Sequence, residues 1–122
     1  MFFAHLNEGI IIKKLIESIK DIVLDINLNI SINGIELKRM NSSHSLLVDF
    51  TLAATGFDQY RCQKDDFILG LSVEQFFKIL KCLENEDSLT LSCENQSKLK
   101  IKFENNSKKK NINIFFRNKK ES

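Results

Sequence analysis

Two histidines, His5 and His44, are the side chains of this sequence best suited to acid–base catalysis near neutral pH. His5 lies in a predicted strand and His44 in a serine-rich loop, and neither has a nucleophile or a carboxylate at a regular spacing. The sequence also lacks the glycine-rich loops that bind phosphates and the clusters of residues that bind metals. We therefore expect no enzymatic activity, no metal and no cofactor.

The sequence contains three cysteines, at positions Cys62, Cys82 and Cys93. Because their number is odd and they lack C-x-x-C spacing, a disulfide framework and a zinc site are both disfavoured. We expect them to be reduced and half-buried.

No apolar run approaches the ~20 residues that span a bilayer, and the first residues do not resemble a signal peptide. These features predict a soluble intracellular protein.

The lysines are candidates for a different chemistry, the binding of phosphates. The total charge is uninformative, because 18 Lys and Arg against 16 Asp and Glu leave only +2 over 122 residues. Segments 8–23 and 72–82, however, have apolar residues at helical spacing. Their polar faces carry Lys13, Lys14, Lys20, Lys78 and Lys81. Ordinary solvation of a helix face explains such lysines equally well, but on one surface they would suit non-specific contact with duplex DNA.

Strands must position these helices. Apolar and polar residues alternate from Ile26 to Leu37 around Asn33-Gly34, a pair that favours a type I′ hairpin turn, and alternate again over 46–52. Further strands are predicted at 60–62, 67–69, 89–93, 99–103 and 112–116. The last of these has an apolar residue, Phe115, on its otherwise polar face, which is typical of an edge strand.

The order of these elements predicts one α+β domain with a duplicated β-α-β-β-β unit, antiparallel sheets outside and two helices on one face. In the second half, Ser72 and Gln75 have the spacing of a helix capping box. Lys98, Lys100 and Lys102 alternate with apolar residues and should lie on an outward sheet face.

Several short motifs, taken in order, identify a resemblance. They are Asn-Ser-Ser-His at 41–44, Gly-Phe-Asp-Gln-Tyr-Arg-Cys at 56–62, Lys-Ile-Leu-Lys-Cys at 78–82 and Asn-Glu-Asp at 85–87. This series resembles the amino-terminal domain of the eukaryotic proliferating cell nuclear antigen family, the replication sliding clamps. The resemblance implies a DNA-clamp fold, in which three two-domain subunits close a ring and the helices line the hole around duplex DNA.

The resemblance also implies a nuclear processivity factor for DNA replication and DNA repair without catalytic activity. Its partners would be double-stranded DNA, the replicative DNA polymerase, the clamp loader, other proteins with clamp-binding peptides, and clamp subunits. The family's hole-lining lysines correspond to the same five helix lysines. Its peptide pocket corresponds to Met40, His44 and Leu47, and its subunit interface to Ile79, Cys82, Ile112 and Ile114.

Residues 1–122 are expected to form a single clamp amino-terminal domain, because the family's interdomain connector and second domain lie outside this sequence. An excised domain and a half-length clamp are both open, and a ring of six identical domains joined by their edge strands is one hypothesis for the latter. The alternative function is a peptide-binding interaction module, derived from a clamp domain, that no longer forms a ring on DNA.

Overall fold

The computed structural model describes residues 1–40, 46–63 and 66–118, except for the side chains of residues 40, 46 and 47. Within these ranges, nine strands, two α-helices and a short 3-10 turn at Ala54–Gly56 follow one another along the chain. In order they are β1 (Phe2–Leu6), α1 (Ile10–Ile19), β2 (Asp25–Ser31), β3 (Gly34–Met40), β4 (Leu46–Ala53), β5 (Gln59–Cys62), β6 (Phe67–Ser72), α2 (Val73–Leu80), β7 (Ser88–Cys93), β8 (Lys98–Asn105) and β9 (Lys110–Arg117).

The strands form two antiparallel sheets. One has five strands in the order β5-β1-β7-β8-β9, and the other has four in the order β4-β3-β2-β6. The expected α+β class, with antiparallel sheets and two helices, is therefore confirmed. Strand β9, which carries Phe115, lies at the edge of its sheet, as its apolar residues on both faces predicted.

One apolar core joins the inner faces of both sheets to the two helices. Because apolar residues recur every three or four positions, each helix buries one stripe, which is Ile12, Ile16 and Ile19 in α1 and Val73, Phe76 and Leu80 in α2. In α2 the ring of Phe76 meets that of Phe116 in β9 edge-on, with centroids 6.0 Å apart. This contact fixes α2 beside the inner face of the five-stranded sheet.

The β2–β3 hairpin is confirmed, but its type I′ turn at Asn33-Gly34 is wrong. Ser31 pairs with Gly34, so the turn lies one residue earlier, and Ile32 is 67% exposed. Asn33 lacks the positive φ that a type I′ turn requires. Gly34 has a φ of 142°, and a Cβ there would collide with the carbonyl oxygen of Leu52. Glycine therefore serves the close approach of β4.

The amino terminus of α2 has the predicted hydroxyl cap. The Ser72 Oγ accepts a hydrogen bond from the Gln75 backbone N–H at 3.3 Å.

No helix in the described part of the chain is long and apolar enough to cross a membrane. Of the three cysteines, only Cys62 is half-buried as expected. Cys82 follows α2 on the surface, and Cys93 points into the core.

Candidate nucleic-acid interface

The two helices lie side by side and run in opposite directions. The backbone N–H of Val73, at the start of α2, donates to the carbonyl of Leu24, just after α1, at 2.9 Å. At the other end, the N–H of Gly9 donates to the carbonyl of Asp87, beyond α2, at 3.1 Å. Since each helix begins where the other ends, polar residues from both helices share one surface.

Three of the predicted lysines, Lys20, Lys78 and Lys81, converge on this surface around Phe77. The ammonium groups of Lys20 and Lys81 lie 5.3 and 5.2 Å from the centroid of the Phe77 ring, within the range of a cation–π interaction. All four side chains line a shallow groove between the helices, which we call the helix groove. The ring of Phe77 therefore holds Lys20, from the end of α1, close to Lys81, from the end of α2.

Acidic side chains in the helix groove pair with two of these lysines but do not neutralise them firmly. Lys20 Nζ lies 3.2 Å from Asp21, and Lys78 Nζ lies 3.3 Å from Glu74 one helical turn earlier. Both carboxylates are more than two-thirds exposed. Exposed pairs of this kind contribute about 0–1 kcal/mol, so a phosphate can replace the carboxylate at little cost.

The other two predicted lysines lie outside the helix groove. Lys13 is half-buried, and its Nζ donates a hydrogen bond to the carbonyl of Leu83 at 3.1 Å. It therefore also stabilises the end of α2. Lys14 is exposed, and within the described ranges it has no ion-pair partner. Thus Lys14 is freely exposed on α1, whereas Lys20 at the end of α1 is paired with Asp21 and Lys13 is available only in part.

The predicted peptide-binding residues lie mostly outside the described part of the chain. His44 is outside it altogether, and only the backbone of Met40 and Leu47 is described, in β3 and β4. The register pairs Met40 with Leu46, next to an irregularity between Arg39 and Met40. The backbone therefore brings the segments around 40 and 47 onto adjacent strands.

The predicted interface residues border one margin, where α2 runs beside the edge strand β9. Ile112 and Ile114 lie half-buried on the same face of β9, and Ile79 of α2 is also half-buried. Cys82 is exposed, and its carbonyl accepts a hydrogen bond from Lys110 Nζ at 2.7 Å. The contacts of Phe76 with Phe116 and of Cys82 with Lys110 thus place α2 beside β9, the strand that carries Ile112 and Ile114.

A buried carboxylate, Asp87, fixes this margin. It accepts hydrogen bonds from the Glu84 N–H at 2.9 Å, Asn105 Nδ2 at 3.1 Å and Lys110 Nζ at 2.5 Å. Burial alone would raise the pKa of Asp87, but these donors outweigh it and hold the pKa below its usual value. Burial alone would lower the pKa of Lys110, but its contacts with Asp87 and Glu84 outweigh burial, so the pKa of Lys110 lies above its usual value. The turn after α2 is therefore pinned to the start of β9.

Sequence reasoning missed both Phe77 and Asp87. Phe77 has helical spacing with Val73 and Leu80, so it resembled a core residue, whereas it is half-buried beneath two lysines. Asp87 follows Glu84 and Glu86 in a polar segment that is typical of an exposed turn. The sequence offered one signal that Asp87 has a partner, which is the basic residue Lys110 at the start of the last strand.

A comparison with models of protein families identifies the chain. Residues 1–120 match the family described as "Proliferating cell nuclear antigen, N-terminal domain". The match spans both helices, both sheets and the helix groove. The members of this family are non-enzymatic processivity factors that act in DNA replication. The chain therefore belongs to the proliferating cell nuclear antigen amino-terminal domain family, and it is a domain of the sliding-clamp type.

Proposed function

We propose that this domain is the amino-terminal half of a DNA sliding clamp, which encircles duplex DNA without sequence preference and makes a polymerase processive. The observation that carries the proposal is the helix groove, where two antiparallel helices bring Lys20, Lys78 and Lys81 onto one surface. Lys14 adds an exposed charge on α1. This surface has the positive charge expected of a protein surface that faces duplex DNA.

The chemistry of the groove favours sliding over tight binding. Lysine ammonium groups on flexible stems attract phosphates without reading base edges. Asp21 and Glu74 compete for Lys20 and Lys78, which weakens each phosphate contact. Retention on DNA would then come from closure of the ring, while the lysines keep the duplex centred.

The test is the salt dependence of duplex binding, measured for the full chain with a double variant, Lys20→Ala with Lys78→Ala. The slope of log K against log salt is negative, and each lost phosphate contact makes it less steep by about 0.9. The slope of the double variant should therefore be less steep by up to about 1.8. Its preference among duplex sequences should not change. Lys38→Ala with Lys108→Ala removes the same charge from β3 and from the turn between β8 and β9, outside the helix groove, and is the matched control. An unchanged slope in the helix variant, or an equal loss in the control, would contradict the proposal.

We also propose that β9 and the adjacent part of α2 form the contact with another clamp domain, through Ile79, Cys82, Ile112 and Ile114. In support, β9 is an edge strand, and the backbone N–H and C=O groups on its outer edge pair with none of the described strands. If identical domains associate there, light scattering should show a mass that rises with concentration. Ile114→Lys should abolish that rise. A monomeric mass at every concentration would contradict self-association.

The proposed partners and location follow from the same clamp role. We propose that the protein acts in the nucleus, in replication and repair, and binds the polymerase, the clamp loader and other proteins with clamp-binding peptides. Met40, His44 and Leu47 would line the peptide pocket, and the pairing of β3 with β4 near Met40 supports this. A peptide carrying the glutamine-and-aromatic motif should shift the amide signals of residues 40–47. Shifts confined to other strands would contradict the assignment.

The fold supports a further proposal, that the domain arose by duplication of a β-α-β-β-β unit. One half is β1-α1-β2-β3-β4 and the other is β6-α2-β7-β8-β9, with β5 as an addition. Strand neighbours are related in the same way, because β1-β7-β8-β9 in one sheet corresponds to β6-β2-β3-β4 in the other. Such an exchange of first strands between halves is what a pseudo-two-fold axis between the helices would produce.

A further inference from the structure

The outer face of the five-stranded sheet carries a row of side chains that the helix groove does not involve. Cross-strand partners place Arg61 beside Phe3, Phe3 beside Ser92, Ser92 beside Lys100, and Lys100 beside Phe115. We call these five residues the outer row. Their neighbours in sequence point into the core, so the outer row lies on the opposite side of the sheet from the helices.

Phe115 is the anomalous member of the outer row. Its side chain is 57% exposed, whereas the next residue, Phe116, packs against Phe76 in the core. The ammonium groups of Lys98 and Lys100 lie 5.3 and 6.0 Å from the centroid of the Phe115 ring. Phe115 therefore contributes little to the core and presents a ring flanked by two positive charges.

The face around the outer row is strongly positive, although the whole chain is nearly neutral. Its cations are Arg61, Lys98, Lys100, Lys102 and Arg117. Of these five, within the part of the chain that the structure describes, only Lys102 has an ion-pair partner, Glu104 at 3.4 Å. A second acid, Glu94, stands at the rim of a shallow depression of about 350 Å³ between Phe3 and Phe115. The remaining charges are available to a ligand.

We propose that this outer face binds single-stranded nucleic acid. An exposed aromatic ring can stack on the π-face of any base, and the adjacent cations can contact the phosphates on either side. Lys98, Lys100 and Lys102 repeat along β8 at about 6.8 Å, which is twice the rise per residue of a strand. Phe3 and Phe115 are three strand spacings apart, about 14 Å, so a strand of a few nucleotides can reach both rings.

The ring distinguishes a nucleic acid from the other anionic ligand to consider, an acidic peptide. Carboxylates would be satisfied by the cations alone and would gain nothing from an exposed phenyl ring. Bases gain stacking energy from such a ring, and the two lysines can turn from it toward phosphates because their stems are flexible. The binding site lies across the sheet from the helix groove, so it goes beyond the proposed duplex contact and does not depend on it.

The test is fluorescence anisotropy of a labelled 12-nucleotide oligothymidine with the full chain. Phe115→Ala should weaken binding about fivefold or more, the lower range for one stacked base. Phe115→Tyr keeps the ring and should retain affinity. Lys98→Gln with Lys100→Gln should reduce the salt slope by about 1.4, or 0.7 for each single-strand phosphate contact. These side chains are exposed or half-buried, and a thermal melt of each variant verifies its fold.

Two matched controls locate the effect. Phe50→Ala removes a partly exposed ring from β4 in the other sheet, and Lys20→Ala with Lys78→Ala removes two charges from the helix groove. Both should leave oligothymidine affinity within about twofold, a free-energy change below about 0.5 kcal/mol. Absence of binding, or binding that Phe115→Ala does not weaken, would overturn the proposal. So would displacement of the oligonucleotide by a heptaglutamate peptide whose own affinity is insensitive to Phe115→Ala, because that result would assign the face to acidic peptides.

Discussion

Substitution of Asp87 by Asn tests how the margin between α2 and β9 is held together. The side chain of Asp87 is fully buried, and its carboxylate accepts from a backbone N–H, an amide and an ammonium group. Asn preserves the shape of the side chain but removes the negative charge. It also replaces one acceptor oxygen by an N–H₂ donor, which would face the donors already present.

The expected loss follows from these contacts. Hydrogen bonds to charged groups contribute about 1.5–3 kcal/mol each, and removing one partner of a buried ion pair costs about 3–5 kcal/mol. Lys110 is only 15% exposed, but it keeps the carbonyl of Cys82 at 2.7 Å and Glu84 at 3.4 Å, which moderates the loss. We therefore expect Asp87→Asn to lower the free energy of unfolding by about 2–3 kcal/mol. For a domain of this size that corresponds to about 10 °C in Tm.

The pH dependence gives the same prediction a sign. The pKa of folded Asp87 is below that of the unfolded chain, near 3.9, so the folded state releases its proton more readily. The stabilisation is therefore present above about pH 4 and is lost as the pH falls through the folded pKa. Because Asn cannot take up this proton, the variant should lose less stability than the wild-type protein below pH 4.

Urea unfolding of both proteins between pH 2.5 and pH 7 measures these effects. Glu84→Gln is the control, because Glu84 approaches the same lysines from the surface and is 54% exposed, so its loss should be small. If Asp87→Asn were as stable as the wild-type protein at pH 7, or if Glu84→Gln were equally destabilised, the buried carboxylate would not hold this margin.

Three further results are expected. Gly34→Ala should destabilise the domain by at least about 2 kcal/mol, because the positive φ and the adjacent β4 backbone exclude a Cβ, whereas Gly56→Ala, with open space around it, should be nearly neutral in urea unfolding. Ser72→Ala should cost about 1 kcal/mol by removing the α2 cap, and equal stability in the same assay would exclude a role for the hydroxyl. Cys82 should react rapidly with a thiol reagent in the native state, whereas burial raises the pKa of the Cys93 thiol to about 12, so Cys93 should react only on unfolding. Equal rates would contradict the burial of Cys93.

Periodicity predicted most of the secondary structure, because burial imposes the spacing of apolar residues. Alternation located the strands from β2 to β9, and helical spacing placed Lys78 on the exposed face of α2 and Lys20 and Lys81 at the ends of the helices. The turn at Ile32-Asn33 escaped prediction for a long-range reason. Gly34 is required by the backbone of β4, and a local turn rule contains no information about that strand.

The features that sequence could not predict all depend on tertiary contacts. Lys13 has the spacing of an exposed lysine, but it bonds to a carbonyl 70 positions away. Phe77 became part of the helix groove only because α1 crosses beside it. In the same way, the outer row depends on the register of four strand pairs, and alternation within one strand does not reveal which residue of the next strand lies alongside.

The most direct test of the central claim is an NMR titration of the ¹⁵N-labelled domain with a short duplex DNA at low salt. If duplex DNA lies along the helices, shifts should concentrate on α1 and α2, with the largest at Lys20, Lys78 and Lys81, and should decrease as salt is added. The outer row should change little. Shifts confined to the outer face of the five-stranded sheet, or no shifts at low salt, would contradict the assignment of the helix groove as the surface that faces DNA.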